Sequence, residues 1–315
     1  MPLINARDIA FGRLQSPDLD VAEEFLTEFG MIRVERTNDR LYMRGTDPTQ
    51  YLHVTHKGEP KYIGFGWFAN SEEDLKRVAA APGASGIEHL DEPGGGQRVR
   101  LTDPSGYQVE VVYGIAPHKP IPVTRQEMNQ GDDRERRAGE LMRIHQGRSR
   151  VKRMGHAVVG APDLKQTVAW YREHLGLLGT DEVYDGSKDH VMGSFNRVNR
   201  GPEYVDHHTF FCLESEIAGL NHFSFEVADI DDVFTGHEHL KSFDKYEHMW
   251  GLGRHVLGSQ IYDYWADPWG RVHEHWSDSD RINAEYETQL ISASEGLRSQ
   301  WGEPVPQKFI DRICP

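Results

Sequence analysis

His156, His222 and Glu274 have the side chains and the settings to hold a metal ion. Each sits in a short strand-like run: Gly155-His156-Ala157-Val158-Val159, Asn221-His222-Phe223-Ser224-Phe225-Glu226, and Val272-His273-Glu274 after the turn Asp267-Pro268-Trp269-Gly270. Two imidazoles and one carboxylate from separate strands are the donor set that non-heme Fe(II) centres use, with positions left open for reactants. Histidine is concentrated in this part of the chain. Of 17 in all, 12 fall after residue 150. His237 and His239, beside Glu238, read as helix or loop residues and are given no role.

The elements that must carry these residues recur. Ser16-Pro17-Asp18-Leu19 and the amphipathic run Val21–Met31 match Ala161-Pro162-Asp163-Leu164 and Thr167–Leu177. Apolar residues at helical spacing stop at a Gly in both copies, as a helix ending in a glycine cap does. Each copy closes on Asp-Pro-x-Gly and an alternating strand, Asp103–Glu110 and Asp267–Glu274. Alignment on these landmarks sets Phe11 opposite His156, Ile63 or Gly64 opposite His222, and Glu110 opposite Glu274. The first copy therefore keeps the carboxylate without the imidazoles and is expected to hold no metal.

Strand alternation refines the picture, because successive side chains face opposite sides. His222, Ser224 and Glu226 share one face, and Phe223, Phe225 and Val227 the other. Glu274 points away from His273 and His275. The expected organisation is a first domain over residues 1–115, a linker over 116–150, a metal-binding domain over 151–280 and a tail over 281–315. The tail, helix-prone from Ala284 to Leu297, is expected to pack over the pocket or along a subunit contact.

Composition narrows the partners. With 50 acidic against 35 basic residues the net charge is −15, which disfavours nucleic acid and anionic membranes. The Arg-rich stretch from Gln130 to Arg150 reads as a solvated connector. The first eight residues carry no apolar signal core, and no run approaches the length of a membrane span. Two cysteines, Cys212 and Cys314, offer neither a disulfide framework nor a thiolate zinc site. A cytoplasmic protein is the expectation.

The repeat, the triad and the pattern His255, Tyr264, Glu274 around Tyr-x-x-Asp-Pro-x-Gly-x-x-x-Glu resemble the vicinal-oxygen-chelate superfamily, and within it the type I extradiol ring-cleaving dioxygenases. The resemblance runs from about Asp8 to Ser277. It implies an α+β fold of two homologous domains, each built from paired βαβββ modules forming cupped mixed sheets. It implies a metal held by His156, His222 and Glu274, expected to be Fe(II), although Mn(II) accepts the same donors. It also implies an acid–base His at His207 or His208, with family spacing favouring His207, and substrate contacts from His255 and Tyr264. The activity implied is cleavage of a substituted catechol or trihydroxybenzene by dioxygen in aromatic catabolism. A small aromatic diol and O2 would be the partners, without nucleic acid or membrane, in a homo-oligomer. Phe195, Trp250 and Trp265 are expected to shape a ring-sized pocket. The alternatives are a glyoxalase-like metal-dependent isomerase and a non-catalytic binding protein of the same superfamily.

Overall fold

A computed structural model describes residues 1–125 and 127–315. Its first half contains β1 (Asp8–Ser16), α1 (Leu19–Glu28), β2 (Ile32–Arg36), β3 (Arg40–Arg44), β4 (His53–Lys57), β5 (Lys61–Phe68), α2 (Glu72–Ala79), β6 (Glu88–His89), β7 (Gln97–Thr102) and β8 (Gln108–Tyr113). The second half contains β9 (Val151–Ala161), α3 (Leu164–Leu175), β10 (Leu178–Tyr184), β11 (Val191–Arg197), β12 (Val205–Asp206), β13 (Phe210–Glu214) and β14 (Gly219–Val227). It continues with α4 (Ile230–Ser242), β15 (Glu247–His255), β16 (Ile261–Ala266) and β17 (Val272–Ser277). The tail adds β18 (Arg281–Ile282), β19 (Gln289–Ser292), α5 (Ala293–Gly296), β20 (Ser299–Gly302) and α6 (Gln307–Ile310).

The Pro-Asp landmarks are helix starts. Asp18 accepts the amides of Asp20 and Val21 to begin α1, and Asp163 accepts that of Gln166 to begin α3. This satisfies backbone donors that the first helical turn leaves unpaired. Gly176, at φ 69°, ends α3 in the left-handed conformation that glycine adopts at little cost.

Strand order shows the repeat directly. The first sheet runs β2-β3-β4-β1-β5-β8-β7-β6, and the second runs β10-β11-β13-β9-β14-β17-β16-β15 between β19 and β20. The arrangement is the expected α+β one of two repeated units with mixed sheets. Helices α1 and α3 join the halves through one apolar core. Phe29 stacks on His275 at 3.7 Å, while Tyr171 packs on both Phe65 and Phe210. The approach is close enough that a Cβ at Gly12 would lie 2.3 Å from the Phe223 ring. Among the described residues no helix is long and apolar enough to cross a membrane.

The tail departs from the expected helix over Ala284–Leu297. Only Ala293–Gly296 is helical, because Gln289–Ser292 pairs in parallel with Asp181–Tyr184. An open sheet edge offers that segment a full row of hydrogen bonds, and this outweighs weak helical propensity. β20 then pairs with β15 at the opposite edge. The tail thus belongs to both margins of the second sheet and crosses its cup between them.

Register settles the internal alignment. Glu110 lies beside Gly66, which pairs with Phe11; Glu274 lies beside Ser224, which pairs with His156. Gly64, rather than Ile63, stands where His222 does: Arg13 pairs with Gly64, and Val158 with His222. Arg13 fills the place between them. Its guanidinium bonds Glu110 closely and reaches Glu92 at 2.7 Å, with Arg98 completing the pairing of Glu110 at 3.4 Å. All three of Arg13, Glu92 and Glu110 are at most 4% exposed. Burial alone would lower the Arg13 pKa, but the charges of Glu110 and Glu92 hold it above the ordinary arginine value. A guanidinium therefore serves as the fixed cation of the first cup. Arg13→Met should cost roughly 3–5 kcal/mol of stability, because two buried carboxylates lose their main partner. Equilibrium urea unfolding would measure this, with metal content of the second half unchanged.

Candidate metal centre

β9, β14 and β17 are adjacent in the second sheet, so His156, His222 and Glu274 meet on its concave face. His156 Nε2 lies 3.0 Å and His222 Nε2 3.5 Å from Glu274 Oε2, and the two imidazole nitrogens are 3.4 Å apart. Strand alternation explains the selection. Phe223 and Phe225 turn into the core between the halves, and His273 and His275 turn with them. His273 meets His53 at 3.2 Å, and His275 Nε2 meets the Phe29 carbonyl at 2.6 Å.

The donor set fits a divalent cation. Glu274 is fully buried, yet its Oε1 has no hydrogen-bond partner, and His156 Nδ1 is likewise buried and unpartnered. Ser224 donates a close hydrogen bond to Glu274 Oε2 and so orients the carboxylate. Burial would raise the Glu274 pKa, but the imidazoles of His156, His222 and His255 around it prevail and hold it well below the ordinary range. Burial lowers the His156 pKa, which leaves a neutral imidazole suited to ligation. Asn221 Oδ1 lies 2.6 Å from His222 Nδ1, which fixes Nε2 as the free ligand atom. The Asn221 amide in turn donates to the Arg312 carbonyl at 3.0 Å. In the sequence Asn221 stands out only as the neighbour of His222. Its role depends on the tail, which no local pattern reveals.

A cavity of about 190 Å³ opens over the cluster. His156, His208, His222, His255 and Tyr264 form its polar end, while Phe195, Phe211, Trp250, Leu257 and Phe309 form its apolar wall. Trp265 faces the other side of the sheet, where its indole bonds Asp263, and lines none of it. His255 Nε2 and the Tyr264 hydroxyl are 2.8 Å apart. Burial, followed by the nearby Glu274 charge, pushes the Tyr264 pKa well above 10, so the phenol keeps its proton and can donate it. Burial lowers the His255 pKa. A larger polar cleft of about 640 Å³ lies elsewhere, among Arg153, Asp206, Glu226 and Arg281, and includes none of His156, His222 and Glu274.

The adjacent histidines exchange places relative to expectation. His208, not His207, reaches the cavity, with its ring centroid 4.2 Å from that of His156. His207 stands one layer behind, with Nε2 2.7 Å from Asp181 Oδ2 and Nδ1 3.1 Å from His208 Nδ1. Residues 207–209 lie between β12 and β13, outside any strand, so the family spacing that favours His207 does not fix which of the two rings turns to the cavity. The chain Asp181–His207–His208 also selects tautomers. With His207 Nε2–H donating to Asp181, its Nδ1 accepts from His208 Nδ1–H, and His208 Nε2 keeps a free lone pair. Burial, and then the neighbouring His156 and His207, hold the His208 pKa well below 6.5.

The family model of the Glyoxalase/Bleomycin resistance protein/Dioxygenase superfamily matches residues 9–111 and 153–274. The chain belongs to that superfamily. Metapyrocatechase 2 of Cupriavidus necator is 32% identical over 306 residues, covering 94% of this chain and 89% of its own. Two solved structures share the fold. The Mn(II)-bound glyoxalase of Novosphingobium aromaticivorans has a TM-score of 0.78 at 21% identity, covering 96% of this chain and 94% of its own. Homoprotocatechuate 2,3-dioxygenase of Brevibacterium fuscum, in an anaerobic complex with 3,4-dihydroxyphenylacetate, has a TM-score of 0.79 at 18% identity, covering 99% and 95%. The superfamily expected from the repeat and the triad is the one found.

His156→Ala should abolish binding of the ion for which His156, His222 and Glu274 are placed. Asn221→Ala should weaken metal affinity by about 10–100-fold while leaving the site able to load. Metal titration followed by elemental analysis distinguishes the two outcomes.

Proposed function

We propose that the chain is an extradiol dioxygenase that opens the ring of a neutral, alkyl- or aryl-substituted catechol with O2, at Fe(II) held by His156, His222 and Glu274. The observation that carries this reading is the pairing of that triad with a cavity whose polar end holds His208, His255 and Tyr264 and whose remaining wall is mostly apolar. A cytoplasmic site of action suits a catabolic enzyme of this kind.

The bound metal would supply the redox chemistry by which O2 reacts with an aromatic diol. The residues supply the rest. Tyr264, kept protonated, donates a hydrogen bond to one diol oxygen, and His255 orients that phenol from 2.8 Å. His208 Nε2 takes the proton that the diol releases and is placed to return it later, with His207 and Asp181 holding the ring in the required tautomer. Phe195, Phe211, Trp250 and Phe309 exclude water and enclose the ring substituent. Both oxygen atoms enter the product, so the reaction consumes no external reductant.

Charge limits the substrate. No Lys or Arg is among the described residues lining the cavity. A substrate carboxylate would lose its hydration there without a cation to replace it, at a cost of several kcal/mol. The reading therefore favours alkyl- and aryl-catechols over dihydroxy acids.

Protein loaded with Fe(II) and a 3- or 4-alkylcatechol without oxygen should form a yellow ring-fission product on admission of air. Carboxylated catechols should react with kcat/KM lower by at least about tenfold. Failure with every catechol and trihydroxybenzene in Fe(II)-replete protein would shift the assignment to an isomerase. His208→Phe should retain the metal and lose about 10²-fold or more in turnover. His207→Phe should lose less, and equal losses would place His207 in direct contact with the chemistry.

A further inference from the structure

The opposite face of the second sheet carries another convergence of the same chemical kind. On β16, Tyr264 faces the cavity, so Ile261, Asp263 and Trp265 face α4. Ile261 and Trp265 suit that apolar layer; Asp263, fully buried, does not. A carboxylate in such a place is retained only if cations or donors surround it. Two histidines do so, from two further elements. His248 Nε2, on β15, lies 2.8 Å from Asp263 Oδ1, and His237 Nδ1, on α4, lies 3.1 Å from the same oxygen. The other carboxylate oxygen is held by the Trp265 indole at 2.5 Å.

We propose that His237, His248 and Asp263 form a second divalent-cation site, of the zinc class, that clamps α4 to β15 and β16. The donors are two imidazole nitrogens and one carboxylate oxygen, all within 4.8 Å of one another, as in the first cluster. The two clusters also share their geometry. Imidazole nitrogens stand 2.8 and 3.1 Å from one carboxylate oxygen here, against 3.0 and 3.5 Å at Glu274. Trp265 acts on Asp263 as Ser224 acts on Glu274, holding the carboxylate in one orientation. His237 and His248 are 15% and 32% exposed, so an ion can enter and a water can complete a tetrahedron. The borderline-soft N,N,O donor set suits Zn(II), which two imidazoles and a carboxylate commonly bind. Sequence alone hid the site, because His237 and His248 are unremarkable singly and Asp263 lies within an aromatic run.

Full-length protein incubated with Fe(II) and Zn(II), then desalted, should hold two metal ions per chain by elemental analysis. His156→Ala should lose the first and keep one zinc. His237→Gln and Asp263→Asn should keep the first and lose the second. Excess Zn(II) should raise the melting temperature of His156→Ala by about 5 °C, but not that of the double variant His156→Ala/His237→Gln. Because Asp263→Asn could disturb folding, His237→Gln, whose side chain is partly exposed, serves as the independent variant. A His156→Ala protein that is folded, metal-free and thermally indifferent to Zn(II) would overturn the proposal. So would a wild type and His237→Gln of equal zinc content.

Discussion

A carboxylate buried at the same point of two homologous cups must be neutralised, and the two halves of this chain do so differently. Glu110 and Glu274 occupy equivalent registers on equivalent strands, each enclosed by sheet and cut off from water. Neither charge could persist there alone, since desolvation of an unpaired ion costs more than a single mutation usually does. In the first half a covalently attached guanidinium answers it. In the second, imidazoles stand where the first has Phe11 and Gly64, and a mobile cation becomes the natural partner. One fold thus yields a half whose carboxylate is answered from within and a half whose donor set fits a metal.

That difference also decides which cup is hollow. Arg13, Phe11, Tyr51 and Tyr42 fill the first with contacts of their own. The second leaves a cavity whose polar groups gather at one end and whose wall is aromatic and aliphatic. The filled half then has a structural task, supplying α1 to the core beneath β17. Phe29 stacks on His275 and Phe25 packs edge-on to His273 directly behind the ligand strand.

Much of this was legible in the sequence wherever a local rule governs. The Pro-Asp caps, the glycine stop and the Asp-Pro-x-Gly turn fixed the repeat, and two-residue alternation separated Glu274 from His273 and His275. Family spacing points to His207 where the cavity takes His208, because, with no strand through them, the direction of each ring is set by Asp181 and the surrounding packing. The tail misled for a related reason: its conformation is set by two sheet edges far away in sequence, and its own propensities are weak. Asn221, His248 and Asp263 were illegible because each acquires meaning only from partners on other elements. His237 was visible and passed over, since a histidine on a helix says nothing until the opposing strand is known.

The tail has a geometric consequence for the second sheet. Ten strands leave nine gaps of roughly 4.8 Å, so a flat sheet would hold β19 and β20 about 43 Å apart. Seven residue steps separate Ser292 from Ser299, and even fully extended they reach only about 25 Å. The two margins can both be occupied only if the sheet is curled well past flatness. The connecting segment therefore acts as a tether of fixed length that limits how widely the rim can gape. Lengthening or shortening it by a residue would resize the mouth and shift only Gly296 and Leu297 among the lining residues, a route by which related chains could come to admit larger or smaller rings.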